Sequence, residues 1–245
     1  MINKALAQRL KLYEEEFRNF MKIKDFPEYQ IKTKEVSINV SDSCGFESAA
    51  SASYVIETKT HTLTVSTNLE VSKDLIFHEF THILDSEMYS KDDKIRYAGI
   101  SGFTEYHASQ VELAYLLGAN TIDDIPSFSM DTIISTFVGE KSVYQYVDEK
   151  QQHAIDLFAR TDFPANISAL KSAVGVLCNY YGLRSICEKY SIDYTEKVDN
   201  AVFLQYISTQ YFSKFNSFMH GWLDEDNIEL SIPLYINIIT SILRN

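Results

Sequence analysis

Cysteine, proline and glycine are scarce in this chain, whose 245 residues include 3 Cys, 4 Pro and 8 Gly. Three cysteines cannot form a disulfide framework, and Cys44, Cys178 and Cys187 are spaced too widely for a zinc knuckle. We therefore expect buried thiols in a reducing compartment. Because glycine and proline supply most tight turns, their scarcity favours long elements and, above all, helices.

Positive charge and long apolar runs are also lacking. The chain has 22 Lys and Arg against 34 Asp and Glu, a net charge of −12, which argues against nucleic acid and against an anionic membrane as the main partner. No apolar run reaches the roughly 18 residues of a membrane span. The N-terminal segment lacks the apolar core of a signal peptide. We therefore predict a cytoplasmic protein that neither crosses nor docks on a membrane.

The hydrophobic pattern predicts an α+β first part and a helical second part. Apolar residues recurring every three or four positions predict helices, and alternating ones predict strands. In the first part we expect helices at 3–22, 72–88 and 103–118, strands at 34–40, 53–58 and 61–66, and a charged loop at 90–94. In the second part we expect helices at 129–138, 142–160, 167–189, 195–220 and 227–243, with Gly182 as a candidate break in the third. A soft boundary near residue 120 divides the chain into 1–120 and 121–245, and the second part could form a separate bundle or pack around the first.

Residues 78–82 read His-Glu-Phe-Thr-His, an HExxH motif. On a helix, positions i and i+4 lie about 40° apart around the axis, so the imidazoles of His78 and His82 point the same way and can hold one zinc ion. Glu79 lies on the flank of that face, where a carboxylate can act as general base on a zinc-bound water without being a ligand. The competing interpretation is a solvated surface helix. The neighbouring apolar residues argue against it, because they predict a buried helix whose imidazoles need a partner such as a metal.

A catalytic zinc site needs a third protein ligand. The candidates are Glu105, His107 and Glu112, all in the next predicted helix. Glu105, Ser109 and Glu112 share one helix face, whereas His107 points about 200° away from Glu105. Glu105 and His107 therefore cannot both face the metal, but spacing alone does not choose the ligand.

At this point the sequence resembles a known family. The HExxH motif is followed by residues similar to the second motif of the ImmA/IrrE-type zinc peptidases, which are gluzincins within the zincin group. The matching residues are Glu105, Ala108, Ser109 and Val111, followed by Leu116 and Leu117. The resemblance covers roughly residues 36–118.

The resemblance implies a zincin-like catalytic part that binds one zinc ion per chain. It assigns Glu105 as the third ligand beside His78 and His82, with Glu79 as the general base. It also implies that the strand at 61–66 is an edge strand bordering the cleft, along which an extended substrate adds as a further strand.

The function implied is a zinc metallopeptidase of narrow specificity, of bacterial or mobile-element origin. Its substrate would be a protein or peptide, such as a repressor or other regulator. The competing hypothesis is a catalytically silent zincin-fold module that acts by binding, for instance as an antirepressor. The intact HExxH motif, with Glu79 present, favours the enzyme.

Peptide hydrolysis also needs a group that stabilises the oxyanion. The sequence offers several tyrosines and histidines and does not choose among them. They are Tyr97, Tyr106, His107, His153 and His220.

Overall fold

The computed structural model describes residues 4–36, 49–196, 200–218 and 225–244. The fold is α+β, as the sequence pattern predicts. The helices are α1 (Lys4–Met21), α2 (Lys73–Tyr89), α3 (Lys94–Gly99), α4 (Ser101–Leu116), α5 (Val143–Phe158), α6 (Ile167–Tyr190), α7 (Thr209–Phe218) and α8 (Glu225–Arg244), with a short 3-10 helix at Phe203–Gln205. The strands are β1 (Tyr29–Lys34), β2 (Ala50–Val55), β3 (Thr60–Ser66), β4 (Ile133–Thr136) and β5 (Gly139–Ser142).

The main sheet has three strands in the order β1-β3-β2, with β3 parallel to β1 and antiparallel to β2. β3 is the central strand, and its Leu63 and Val65 are fully buried. The prediction that residues 61–66 form the edge strand is therefore wrong. Within the described residues, β2 is the edge strand on the side of helix α2, so the outer row of backbone groups on that side belongs to β2.

Helix α2 is buried on nearly every side. It packs against α1, β2 and α4. Its Phe77 and Phe80 rings meet Phe17 of α1 edge to face, at centroid distances of 5.3 and 5.5 Å. Such aromatic pairs add to the free energy gained from burial alone. The surface-helix interpretation of the HExxH segment is therefore wrong.

Helices α4 and α6 pack at very close range. A Cβ atom added at Gly182 of α6 would lie 2.2 Å from the backbone oxygen of Tyr106 on α4. Only a glycine can stand at this crossing. Gly182 was a candidate helix break, but α6 runs unbroken through it, and the missing side chain serves the packing.

Several element predictions beyond residue 120 are confirmed and others are wrong. Helices α5, α6 and α8 match the predictions at 142–160, 167–189 and 227–243. The predicted helix at 129–138 is instead the β4–β5 hairpin, whose turn ends at Gly139 with a positive φ of 116°. β-Branched residues in β4 and a glycine at a left-handed position favour a hairpin over a helix.

Three further boundaries differ from the predictions. Helix α3 follows directly on the charged loop, where no helix was expected before residue 103. Within the described residues of the predicted helix at 195–220, only the short 3-10 helix and α7 are helical. The first strand lies at Tyr29–Lys34, not at 34–40, and the remainder of that prediction, 37–40, lies outside the described residues.

The buried core continues across residue 120. One cluster of contacting apolar side chains includes Phe80 of α2, Val111 of α4 and Leu177 of α6. The boundary at residue 120 stays a prediction. The observed contacts agree with the alternative in which the second part packs around the first. Cys178 and Cys187 are buried and unpaired, as expected, and Cys44 lies outside the described residues. None of the helices in the described part of the chain has the length and apolarity to span a bilayer.

Candidate metal centre

The two histidines of the HExxH motif and Glu105 converge on one point. Ligand atoms of His78, His82 and Glu105 all lie within 4.8 Å of one another. Oε2 of Glu105 lies 3.6 Å from Nε2 of His78 and 3.7 Å from Nε2 of His82. A tetrahedral zinc ion with bonds of about 2.0–2.1 Å separates its donor atoms by about 3.3 Å. The three side chains therefore fit one zinc ion after small inward shifts.

Both imidazoles are oriented by a hydrogen bond at their other ring nitrogen. Nδ1 of His78 donates to the carboxylate oxygen Oε2 of Glu112 at 2.8 Å, and Nδ1 of His82 is hydrogen-bonded to the Thr104 hydroxyl at 2.9 Å. A proton on Nδ1 leaves Nε2 as the lone-pair atom, and Nε2 is the atom that faces Glu105. Such outer partners fix the tautomer and the ring orientation of a metal-binding histidine.

Glu105 is held from the side of α6. Burial alone would raise the pKa of its carboxyl group, but the two imidazoles and a hydrogen bond from Asn179 outweigh burial and lower that pKa. The Ser109 hydroxyl donates to Oδ1 of Asn179 at 2.8 Å, which turns the amide nitrogen toward Glu105. The pKa of His78 is raised: burial opposes its charge, but Glu105 and Glu112 outweigh it. The cluster thus has a strong attraction for a cation, whether a proton or a metal.

Glu79 lies beside the ligand cluster and is not part of it. Its side chain is buried, and its Oε2 accepts a hydrogen bond of 2.6 Å from the backbone N–H of Ala52 on β2. Glu79 therefore lies between the metal helix and the edge strand. This is the place a general base needs if a substrate lies along β2.

A cavity of about 430 Å³ opens onto the cluster. Its lining includes the three candidate ligands and Glu79 together with residues of β2, α2, the α3–α4 segment and α6. Among them are Ala52 of β2, Tyr97 of α3, Thr104 of α4 and Asn179 of α6. The cavity therefore lies between the edge strand and the start of α4.

Tyr97 is the only one of the described oxyanion candidates that lines this cavity. Burial raises the pKa of its hydroxyl, partly offset by a backbone hydrogen bond from Tyr54 of β2. Tyr106 is buried, with its backbone against α6. His107 bonds Asp85, with its Nδ1 3.0 Å from Oδ1.

Two other candidates do not contribute to the site as described. His153 is exposed on α5, and His220 lies outside the described residues. Glu112, the other carboxylate considered as a ligand, lies behind His78 and does not face the metal position.

Sequence reasoning did not find three residues around the cluster. Two of them are Asn179 on α6 and Tyr146 on α5, whose hydroxyl donates to Oε1 of Glu112. Both are far from the HExxH motif along the chain, and no local pattern marks either one. Thr104 was missed as well, although it directly precedes Glu105 and could have been considered as a partner for a histidine.

Comparisons with protein-family models, with curated proteins and with solved structures found no match for this chain.

Proposed function

We propose that this chain is a zinc-dependent metallopeptidase with a zincin-like catalytic part. The observation that carries the proposal is the convergence of His78, His82 and Glu105 beside an unliganded Glu79, in a cavity bordered by an edge strand. Three protein ligands with nitrogen and oxygen donors leave a fourth zinc position for water, as in catalytic rather than structural zinc sites.

The chemistry divides between the ion and the chain. Zinc bound there would supply a water of lowered pKa and would polarise the scissile carbonyl. Glu79 accepts the proton of the attacking water and delivers it to the leaving amine. Tyr97, as the hydroxyl donor in the cavity, is our candidate for stabilising the oxyanion.

The edge strand offers a way to orient the substrate. An extended peptide that pairs with β2 would take over the N–H of Ala52, which Glu79 now occupies. Substrate binding would thereby release the Glu79 carboxylate for the attacking water. The scissile bond would then lie between β2 and the ligand cluster.

The resemblance to ImmA/IrrE-type peptidases suggests the substrate class. We propose a protein or peptide substrate, such as a repressor or other regulator, cut in the cytoplasm. The acidic balance of the chain makes nucleic acid and anionic membranes poor partners.

The decisive experiment compares the wild type with Glu79→Gln. The amide cannot accept the water proton, so turnover should fall about 10²–10⁴-fold. Zinc content should stay at one per chain, because the three ligands are untouched. Glu70→Gln, at an exposed position away from the cavity, controls for the loss of one negative charge.

The readout is a comparison of new protein termini in cells that express each form. Termini that appear with the wild type and with Glu70→Gln, but not with Glu79→Gln, would identify the substrate and support the peptidase. Equal cleavage by Glu79→Gln would refute the mechanism. Zinc binding with no new termini in any sample would favour the silent binding module.

A further inference from the structure

A tyrosine of the second part of the chain contacts the ligand shell of the candidate metal centre. The hydroxyl of Tyr146 on α5 donates to Oε1 of Glu112. The other oxygen of the same carboxylate, Oε2, accepts from Nδ1 of His78 at 2.8 Å. The two oxygens of one glutamate thus join α5 to a ligand on α2.

The two contacts use both oxygens of one carboxylate. The Tyr146 hydroxyl donates to Oε1 of Glu112, and Oε2 of Glu112 lies 2.8 Å from Nδ1 of His78. A carboxylate accepts hydrogen bonds at both oxygens, and bonds to it are shorter and stronger than those between neutral groups.

We propose that Tyr146 is a positioning residue of the metal centre, which fixes the orientation of His78 through Glu112. This inference rests on the proposed zinc site. One hydrogen bond leaves a flexible glutamate side chain free to rotate about its bonds, whereas bonds at both oxygens fix the plane of the carboxylate. The plane of the carboxylate in turn fixes the direction of the His78 ring.

Helix α5 is well placed to serve as a fixed support. A capping box closes its first turn, in which the Ser142 hydroxyl accepts from the Gln145 N–H and the Gln145 side chain accepts from the Ser142 N–H. Val143 and Val147, on either side of Tyr146, are buried in the core. The backbone that carries Tyr146 is thus anchored one turn from the helix start. Consequently the second part of the chain helps to build the metal centre in addition to packing on it.

The test measures zinc affinity of the full chain, stripped of metal and titrated with zinc in competition with a chromophoric chelator. Tyr146→Phe removes only the hydroxyl and should weaken zinc binding about 10-fold, the low end of the range for outer-shell partners. Tyr181→Phe is the matched control. Tyr181 is buried on α6, and within the described residues its hydroxyl has no hydrogen-bond partner. The zinc affinity of Tyr181→Phe should equal that of the wild type.

Cobalt substitution gives a readout that a purely structural role would not move. The visible absorption of bound Co²⁺ depends on ligand geometry, so Tyr146→Phe should change the spectrum and Tyr181→Phe should not. Glu112→Gln tests the other end of the contact, and in that background Tyr146→Phe should add little, because coupled residues are not additive. Melting of the metal-free proteins shows whether each variant folds.

The outcomes distinguish failure of the proposed zinc site from failure of the positioning role of Tyr146. A wild type that binds no zinc would overturn the proposed function and, with it, the role of Tyr146. A wild type that binds zinc, with Tyr146→Phe equal to Tyr181→Phe in affinity and cobalt spectrum, would overturn the positioning role alone. Weaker binding and an altered spectrum in Tyr146→Phe and Glu112→Gln, without additivity, would support it.

Discussion

Replacing Gly182 by alanine is the most direct test of how α4 and α6 pack. The new Cβ atom would lie 2.2 Å from the backbone oxygen of Tyr106 and 3.0 Å from Cβ of Ser109. Ordinary contacts between such atoms are at about 3.5 Å, so the helices must separate by about 1 Å. Neither alanine nor a backbone oxygen can rotate away, so a change of rotamer cannot relieve the clash.

The size of the effect follows from three terms. Overpacking of this kind costs about 1–3 kcal/mol. Separation also stretches the Ser109–Asn179 hydrogen bond, whose loss costs about 1 kcal/mol. The higher helix propensity of alanine offsets about 1 kcal/mol of this destabilisation. We therefore expect Gly182→Ala to lower the free energy of unfolding by about 1–3 kcal/mol.

Gly175 on the same helix provides the matched control. The three atoms nearest to a Cβ atom there all belong to the Glu105 side chain and lie at 3.6 Å or more, which is ordinary contact. In Gly175→Ala the propensity gain should dominate, and stability should rise by up to about 1 kcal/mol. Denaturant unfolding of the two variants is the assay. If Gly182→Ala were as stable as Gly175→Ala, the close crossing of α4 and α6 would be refuted.

Three further outcomes are expected. Glu105→Ala should lose zinc, because only the two imidazoles remain as ligands, whereas His107→Ala should keep zinc. The assay is the zinc content of each variant after dialysis. The opposite pattern would mean that the register of α4 is wrong. Tyr97→Phe should keep zinc and lower kcat about 10²–10³-fold if its hydroxyl stabilises the oxyanion; an unchanged kcat would exclude that role. Glu229 on α8 bonds Arg96 of α3, which together with Lys91 lowers the pKa of Glu229 to about 2. Because the pKa of Glu229 is lower in the folded protein than in the unfolded chain, where it is about 4.3, the ionised carboxylate stabilises the fold at pH values above about 4.3. This stabilisation is lost as the pH falls toward about 2. The difference in Tm between the wild type and Glu229→Gln should therefore shrink over that range, and a constant difference would contradict the ion pair.

The parts of the site that sequence could predict are the ones that local geometry determines. His78, Glu79 and His82 lie within one helical turn or so, and a helix at 72–88 was enough to bring the imidazoles together. Glu105 needed more, because its approach to the histidines depends on how α4 packs against α2. A motif resemblance supplied that information where spacing left three candidates.

The parts that sequence missed depend on contacts between distant segments. Asn179 and Tyr146 are ordinary helix residues until α5 and α6 dock beside α4, and nothing near them in sequence marks that docking. The edge strand was misassigned for a related reason. A buried apolar strand such as β3 predicts burial, but not which neighbour lies outside it. The hairpin at Ile133–Ser142 was misread because short apolar runs fit a helix and a strand equally well.

The distribution of the site over four helices has a consequence for the growing chain. All three candidate ligands have been synthesised once α4 is complete, yet Tyr146 and Asn179 follow only with α5 and α6. Until then, Glu105 lacks its amide partner and Glu112 lacks its tyrosine. We expect a nascent chain ending near residue 120 to bind zinc weakly, so that tight metal acquisition is delayed until α6 has docked. Such late maturation would keep the proposed peptidase inactive during its own synthesis.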